Sequence, residues 1–385
     1  MAGNVRRIQP NRAASRKAPI YIDYLMLFCV FLLVVFGLLM LYSCTAYKSH
    51  FDELVGQFIA FLVGIVALVV GATIDVRGKR FAFIAGLVGV VSILILLTPM
   101  GVTLNGARRW FKLPGIPMTV QSAEIVKTVL IIILAYMLAS KKNYLGDLKN
   151  FGRVGIVAFG FAGLLGIVSS NMSSALIILM ICAVMVFVAD RRYALYIAGI
   201  ALVALVAFTA VFLIKNDFID LGFRGGRIKM WLDPENNVSG VDSFQTVHGL
   251  YAIGSGGLTG KGIGEGLQKM KLPEAQNDMV FAVICEELGL VGAGVVIIIY
   301  AILIYRLMVL AKAVPSFRDK LIISGVFAHI AIQALLNIAV VTNSIPNTGV
   351  GLPFISSGGS SLLFLMFEIG MVINVTKGLG NVEEE

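Results

Sequence analysis

Lys271 to Gly289 reads KLPEAQNDMVFAVICEELG, a polar segment that turns apolar just after Asn277 and Asp278. Pro resists inclusion in a helix, and Asn and Asp are favoured N-caps, so the pattern predicts a carboxylate at the mouth of an apolar helix. Two roles are open to Asp278: capping that helix and meeting its dipole, or acting as a general base where water reaches it. A two-carboxylate hydrolytic centre fits poorly. Glu286 lies about 12 Å further along a regular helix, beyond the roughly 5 to 9.5 Å between paired hydrolytic carboxylates. Glu287 points to the opposite face, and Glu286 reads as a polar contact inside a bundle.

Further candidates flank this stretch. Arg108, Arg109 and Lys112 surround Trp110 in the segment 99–119. They suit anionic lipid headgroups with a Trp anchor, or a phosphate or pyrophosphate held by paired Arg donors. Behind them, VQSAEIVK sets Glu124 and Lys127 three residues apart on one helical face, as an ion pair that lowers insertion cost or as functional groups. Gly254 to Gly266 (GSGGLTGKGIGEG) fails as a nucleotide loop. Ser255 stands where its first Gly belongs, and Gly262 rather than Ser or Thr follows Lys261. A backbone cradle or a tight re-entrant turn is left. Asn343 to Ser361 (NSIPNTGVGLPFISSGGSS) has turn composition around an apolar LPFI centre, which points to a packed, partly re-entrant loop. Cys29, Cys44, Cys182 and Cys285 lack metal or disulfide spacing and His50, His248 and His329 are scattered, so structural thiols and no metal motif follow.

The elements that must position these groups come from composition. Of 385 residues, 58% are hydrophobic and only 14% charged, the balance of a polytopic membrane protein. Net charge +9 does not indicate nucleic acid, because the basic residues fall mostly in short loops between apolar runs. Residues 1–20 carry Arg6, Arg7, Arg12, Arg16 and Lys17 and no acid. The apolar run after them is too long for a signal-peptide core, so it reads as an uncleaved first span behind a basic cytoplasmic tail. Further spans follow at roughly 54–73, 81–98, 121–139, 151–169, 172–189, 193–214, 279–304, 321–343 and 359–376.

An all-α domain of ten transmembrane helices results over 21–376, with a large extracytoplasmic loop, about 215–278, between the seventh and eighth helices. A cytoplasmic tail, 377–385, ends the chain. The positive-inside rule agrees: Arg77, Lys79 and Arg80, then Lys141, Lys142, Lys149 and Arg153, then Arg191 and Arg192, then Arg306, Lys312, Arg318 and Lys320 share the side of both termini.

GARRWFKLPG (106–115), QSAEIVK (121–127), AIGSGGLTGKGIG (252–264), LPEAQNDMVFAVICEELG (272–289) and LPFISSGGSS (352–361) resemble, in order, the signature segments of the SEDS family. These are the shape, elongation, division and sporulation proteins, among them RodA, FtsW and SpoVE. PEA before Asp278, VVTNSIPNTG and WLDPENN are more similar to the FtsW and SpoVE branch than to RodA. Gln276 and Asn277 stand where members often have His-Thr, and Cys285 where Gly is usual, which leaves the polar contacts there open.

The resemblance implies a peptidoglycan glycosyltransferase that polymerises lipid II at the outer face of the bacterial cytoplasmic membrane, for division or sporulation. Asp278 would activate the acceptor sugar's 4-hydroxyl for attack on the anomeric carbon of a sugar linked to polyprenyl pyrophosphate. Arg108, Arg109 and Lys112 would face the pyrophosphate, Glu124 and Lys127 would line the cavity behind it, and Ser356 and Ser360 would join the substrate site. The implied partners are lipid II and the growing glycan, membrane lipid, a class B penicillin-binding protein and other divisome or sporulation membrane proteins. A divalent cation, Mg or Mn, is the cofactor left open. A helix N-terminus stabilises a carboxylate and so weakens it as a base, which burial or such a cation would offset. Elongation, lipid II transport and scaffolding for the penicillin-binding protein are the rival functions. Charges gathered at the outer face favour surface chemistry over a transporter's midplane site.

Overall fold

Long apolar runs have one economical structure in hydrocarbon, the helix, because it satisfies every backbone polar group within the segment. The computed structural model describes residues 21–46, 51–104, 107–112, 119–140, 144–190, 193–216, 223–235 and 241–381. The basic tail 1–20, Lys141, Lys142, Arg191, Arg192, the last residues of WLDPENN and the end of the C-terminal tail lie outside the described residues.

The helices are α1 (Tyr24–Thr45), α2 (Phe51–Thr73), α3 (Lys79–Leu94), α4 (Ser122–Leu138), α5 (Leu148–Val168) and α6 (Met172–Ala189). They continue with α7 (Tyr193–Lys215), α8 (Phe223–Leu232), α9 (Val241–Gly256), α10 (Val280–Ala313), α11 (Phe317–Val341) and α12 (Gly359–Thr376). Among the described residues, 8 helices are long and apolar enough to cross a membrane: α1, α2, α3, α5, α6, α10, α11 and α12. The chain is a multi-pass membrane protein. α4 and α7 occupy the other two expected positions, and α8 and α9 lie within the long segment expected as outer loop.

Local chemistry marks several helix starts. Asp23 accepts from Met26 N at 2.8 Å, Asn171 from Ser174 N at 3.1 Å and Ser316 from Asp319 N at 3.4 Å, each an N-cap. Glycine permits close packing between α2 and α12. A Cβ on Gly71 would lie 2.4 Å from the Phe367 carbonyl oxygen, and one on Gly370 would lie 2.2 Å from that of Leu68. Small residues let membrane helices approach backbone to backbone. At the end of the bundle that holds the α2–α3 turn, Arg77 pairs with Asp319 at 2.7 Å, which holds the guanidinium above its ordinary pKa. All four cysteines are free thiols and buried.

Two elements differ from a plain helix-and-loop reading. First, the segment before α4 is a three-stranded antiparallel sheet of β1 (Gly101–Leu104), β2 (Ala107–Lys112) and β3 (Thr119–Gln121), in the order β1-β2-β3. Trp110 is paired with Val102 on one side and Gln121 on the other.

Second, α10 is broken at Gly289, whose backbone has φ 66° and ψ −167°. The glycine-rich segment 254–266 is spliced into that break. Lys261 N and Gly262 N donate to the Glu286 and Glu287 carbonyls at 3.0 and 2.9 Å, while Leu290 N and Val291 N donate to the Gly257 and Leu258 carbonyls at 2.9 and 3.1 Å. The groups orphaned by the kink are thus satisfied by the loop. Only glycine permits this contact at residue 260, where φ is +79° and a Cβ would lie 2.2 Å from the Glu287 oxygen. The stretch is a docked re-entrant turn.

Side chains lock the splice. Glu286 accepts from Lys261 Nζ at 2.8 Å and from the Leu267 and Gln268 amides at 3.0 Å each. Glu287 accepts from Lys269 Nζ and Ser43 Oγ, both at 2.6 Å. Both carboxylates are completely buried.

Candidate active site

Pro273 and Gly-free turns over 271–279 lead into α10, whose first residue is Val280. Met279 holds the N-cap position and no side chain caps the helix there, so Asp278 stands one residue outside it. Asp278 is half-buried at one end of the bundle, with the positive end of α10 directly behind it.

Residues 343–358 form the wall opposite. Ser357 N donates to the Gln276 carbonyl at 2.9 Å, and Asn337 Nδ2 donates to the carbonyls of Asp278 and Val350 at 2.7 Å each. Gly349 has φ +64°, and a Cβ there would lie 3.8 Å from Asp278 Oδ2. Three other elements hold the wall. Ser173 of α6 donates to the Thr348 carbonyl at 2.7 Å, Trp231 of α8 to that of Asn343 at 2.9 Å, and Asn347 to Gln245 of α9 at 3.2 Å. Gln245 in turn donates to the Pro273 carbonyl at 3.2 Å, closing the ring.

Within the wall, at 352–355, the chain dives into the bundle, as its apolar LPFI centre predicts. Leu352, Phe354 and Ile355 are buried, the Tyr300 hydroxyl donates to the Pro353 carbonyl, and Gly37 of α1 leaves room for the passing backbone. Irregular backbone inside the bundle is tolerated because protein covers it. Ser356 Oγ accepts from Leu352 N at 2.6 Å and Ser360 Oγ from Gln121 N at 3.3 Å. Both predicted serines thus brace the loop and the sheet.

The basic cluster is arranged differently from the side-by-side Arg pair of the sequence reading. Consecutive strand residues point to opposite faces. Arg109 therefore shares the face of the buried Phe111, and Arg108 shares that of Trp110 and the exposed Lys112. Arg108 turns back to donate to the Thr98 carbonyl. The two adjacent guanidiniums leave the strand from opposite faces.

Glu124 and Lys127 do pair, at 2.8 Å, but both are buried, and their partners are inside the protein. Lys127 Nζ also donates to Gln333 Oε1 at 2.9 Å. His329 Nε2 lies 3.0 Å from the same oxygen and its Nδ1 lies 2.8 Å from Glu368, which accepts from Thr128 at 2.7 Å. The pair belongs to a buried network joining α4, α11 and α12. Sequence reading missed His329, Gln333, Asn337 and Glu368. The signal was present, since His329, Gln333 and Asn337 recur every fourth residue and form one polar stripe on α11.

A membrane bundle that presents a half-buried aspartate beneath a protein-covered re-entrant loop defines an integral membrane protein with a carboxylate-centred site. The family model FTSW_RODA_SPOVE, described as cell cycle protein, matches residues 23–380, and the chain belongs to that family. It is 35% identical over 367 residues to the probable peptidoglycan glycosyltransferase FtsW of Trichlorobacter lovleyi, covering 93% of each chain. With the stage V sporulation protein E of Bacillus subtilis it shares 31% over 373 residues, covering 92% of this chain and 97% of that one. A solved structure concerned with coordination of polymerization and crosslinking by a peptidoglycan synthase complex matches with TM-score 0.75 and 26% identity, over 93% of this chain and 98% of that one. The crystal structure of Thermus thermophilus rod shape determining protein RodA matches with TM-score 0.64 and 26% identity, over 92% and 96%.

Proposed function

We propose that this chain is a peptidoglycan glycosyltransferase that polymerises lipid II at the outer face of the cytoplasmic membrane, in division or sporulation, with Asp278 as general base. The observation that carries the reading is Asp278 itself, half-buried outside the α10 cap and walled by Gly349, in a chain 35% identical to a probable peptidoglycan glycosyltransferase. The acceptor's 4-hydroxyl gives its proton to the carboxylate as its oxygen bonds to the donor's anomeric carbon. The bond from that carbon to the pyrophosphate breaks, and the polyprenyl pyrophosphate leaves with the electron pair. Positive charge placed at the leaving group stabilises what develops there.

Arg108 is turned onto Thr98; Arg109 and Lys112, which leave β2 on opposite faces, are proposed for that task separately rather than as a pair. Arg109→Ala raises the KM for lipid II roughly 10-fold or more, the worth of one hydrogen bond to a charged group, with a smaller effect on kcat. Unaltered lipid II kinetics would remove Arg109 from the site. A divalent cation would find the Asp278 carboxylate here. Among the described residues no group of three or more His, Cys, Asp or Glu stands together to hold it.

The topology proposed with this function has ten crossings, both termini in the cytoplasm and Asp278 outside. Cysteines at positions 141 and 231 report it: a membrane-impermeant thiol reagent labels only the second in intact cells, and the reverse pattern overturns the orientation. The partner proposed is a class B penicillin-binding protein, alongside other division or sporulation membrane proteins. Polymer from labelled lipid II by the purified protein with that partner tests the activity. One observation favours transport instead, the enclosed ionisable network of Glu124, Lys127, His329 and Glu368. Lipid II translocation in vesicles without polymer would put that reading first.

A further inference from the structure

We infer that Asn337 is a positioning residue for Asp278, an inference that rests on the glycosyltransferase reading. Its side chain is completely buried on α11. A carboxamide carries two N–H donors, and here both are committed, one to the Asp278 carbonyl and one to the Val350 carbonyl, each at 2.7 Å. These carbonyls belong to segments far apart in the chain, the turn that carries the carboxylate and the loop that faces it. One amide thus sets the width of the gap between them. Gly349, next to Val350, is the residue whose absent Cβ would stand 3.8 Å from Asp278 Oδ2, so any change in that gap is felt at the carboxylate.

The support beneath is stiff. One turn earlier, Gln333 donates to the next carbonyl of the same loop, Gly351, at 3.1 Å. Two successive turns of α11 therefore hold two successive carbonyls of the wall. Gln333 is held in turn by Lys127 and His329 through its Oε1. The polar stripe on α11 thus ties the wall and Asp278 to the enclosed ion network, and gives that network a task without contact to substrate. Misplacing a reacting group by about 1 Å through a change away from the chemistry costs on the order of 100-fold in rate.

The test compares the parent, Asn337→Asp and Asn337→Ser in lipid II polymerisation with the class B partner, each as monodisperse protein of known Tm. Asn337→Asp keeps the volume but turns an acceptor toward two carbonyls. Asn337→Ser keeps a single donor and adds no charge, and it serves if the Asp variant does not fold. Expected is a kcat lowered on the order of 100-fold for Asp and less for Ser, with KM for lipid II within about threefold, measured well below each variant's Tm, which the lost buried hydrogen bonds lower. Parent-like kcat in a folded variant overturns the inference alone, as does a kcat loss confined to temperatures near the variant's Tm. No polymer from the parent overturns the glycosyltransferase reading, and the positioning role falls with it.

Discussion

Asp278→Asn lowers the rate of glycan polymerisation roughly 10²- to 10⁴-fold, the contribution of a positioned general base, and leaves Tm close to the parent's. The amide has the shape of the carboxylate but cannot take the acceptor's proton. Stability is little affected because the side chain is half-buried and the amide keeps its shape, while Met279 occupies the cap of α10. The wall is also unaffected in its backbone, since Asn337 grips the Asp278 carbonyl rather than its side chain. Polymerisation by the purified variant with its partner, read as product length and yield from labelled lipid II, checks the first expectation, and thermal unfolding in detergent checks the second. Retained polymerisation would take Asp278 out of the chemistry, and a large fall in Tm would make it a structural residue.

Lys269→Met destabilises the protein by about 3–5 kcal/mol, the cost of removing one partner of a buried ion pair. Glu287 is wholly buried and pairs with Lys269 at 2.6 Å; Ser43, its other partner among the described residues, does not neutralise a carboxylate. The double variant Lys269→Met with Glu287→Leu recovers much of the loss, because two apolar groups of similar volume carry no charge to desolvate. The readout is thermal unfolding of all four members of the cycle. Equal and additive losses would show that the two side chains are not coupled.

Sequence shows most of this architecture because lipid imposes a coarse rule: long apolar runs become helices, and positions near the expected ones were occupied for every run. Asp278 was legible for the same reason, as a charge at the edge of such a run after a proline. The LPFI segment was legible too, because four apolar residues among Gly, Pro and Ser have no reason to stay in water. What stayed hidden depended on partners distant in the chain. His329 and Glu368 meet across helices, as do Asn337 and Asp278, and no local spacing announces either pair. The sheet was hidden because RRWFK carries no alternation of polar and apolar residues. The facing of the adjacent arginines was hidden with it, since only the strand shows that they leave the backbone on opposite faces.

The break in α10 bears on how the chain enters the bilayer during synthesis. Its 34 residues would make a straight rod of about 51 Å against a hydrocarbon layer of about 30 Å. Glu286 and Glu287 would then be carried into lipid with no counterion of their own on the rod. Lys261 and Lys269 precede them in the chain and leave the ribosome first, so the cations are at hand when the acids arrive. The pairing that α10 needs at Glu286 and Glu287 therefore begins at the glycine-rich turn, well ahead of the first residue of the helix.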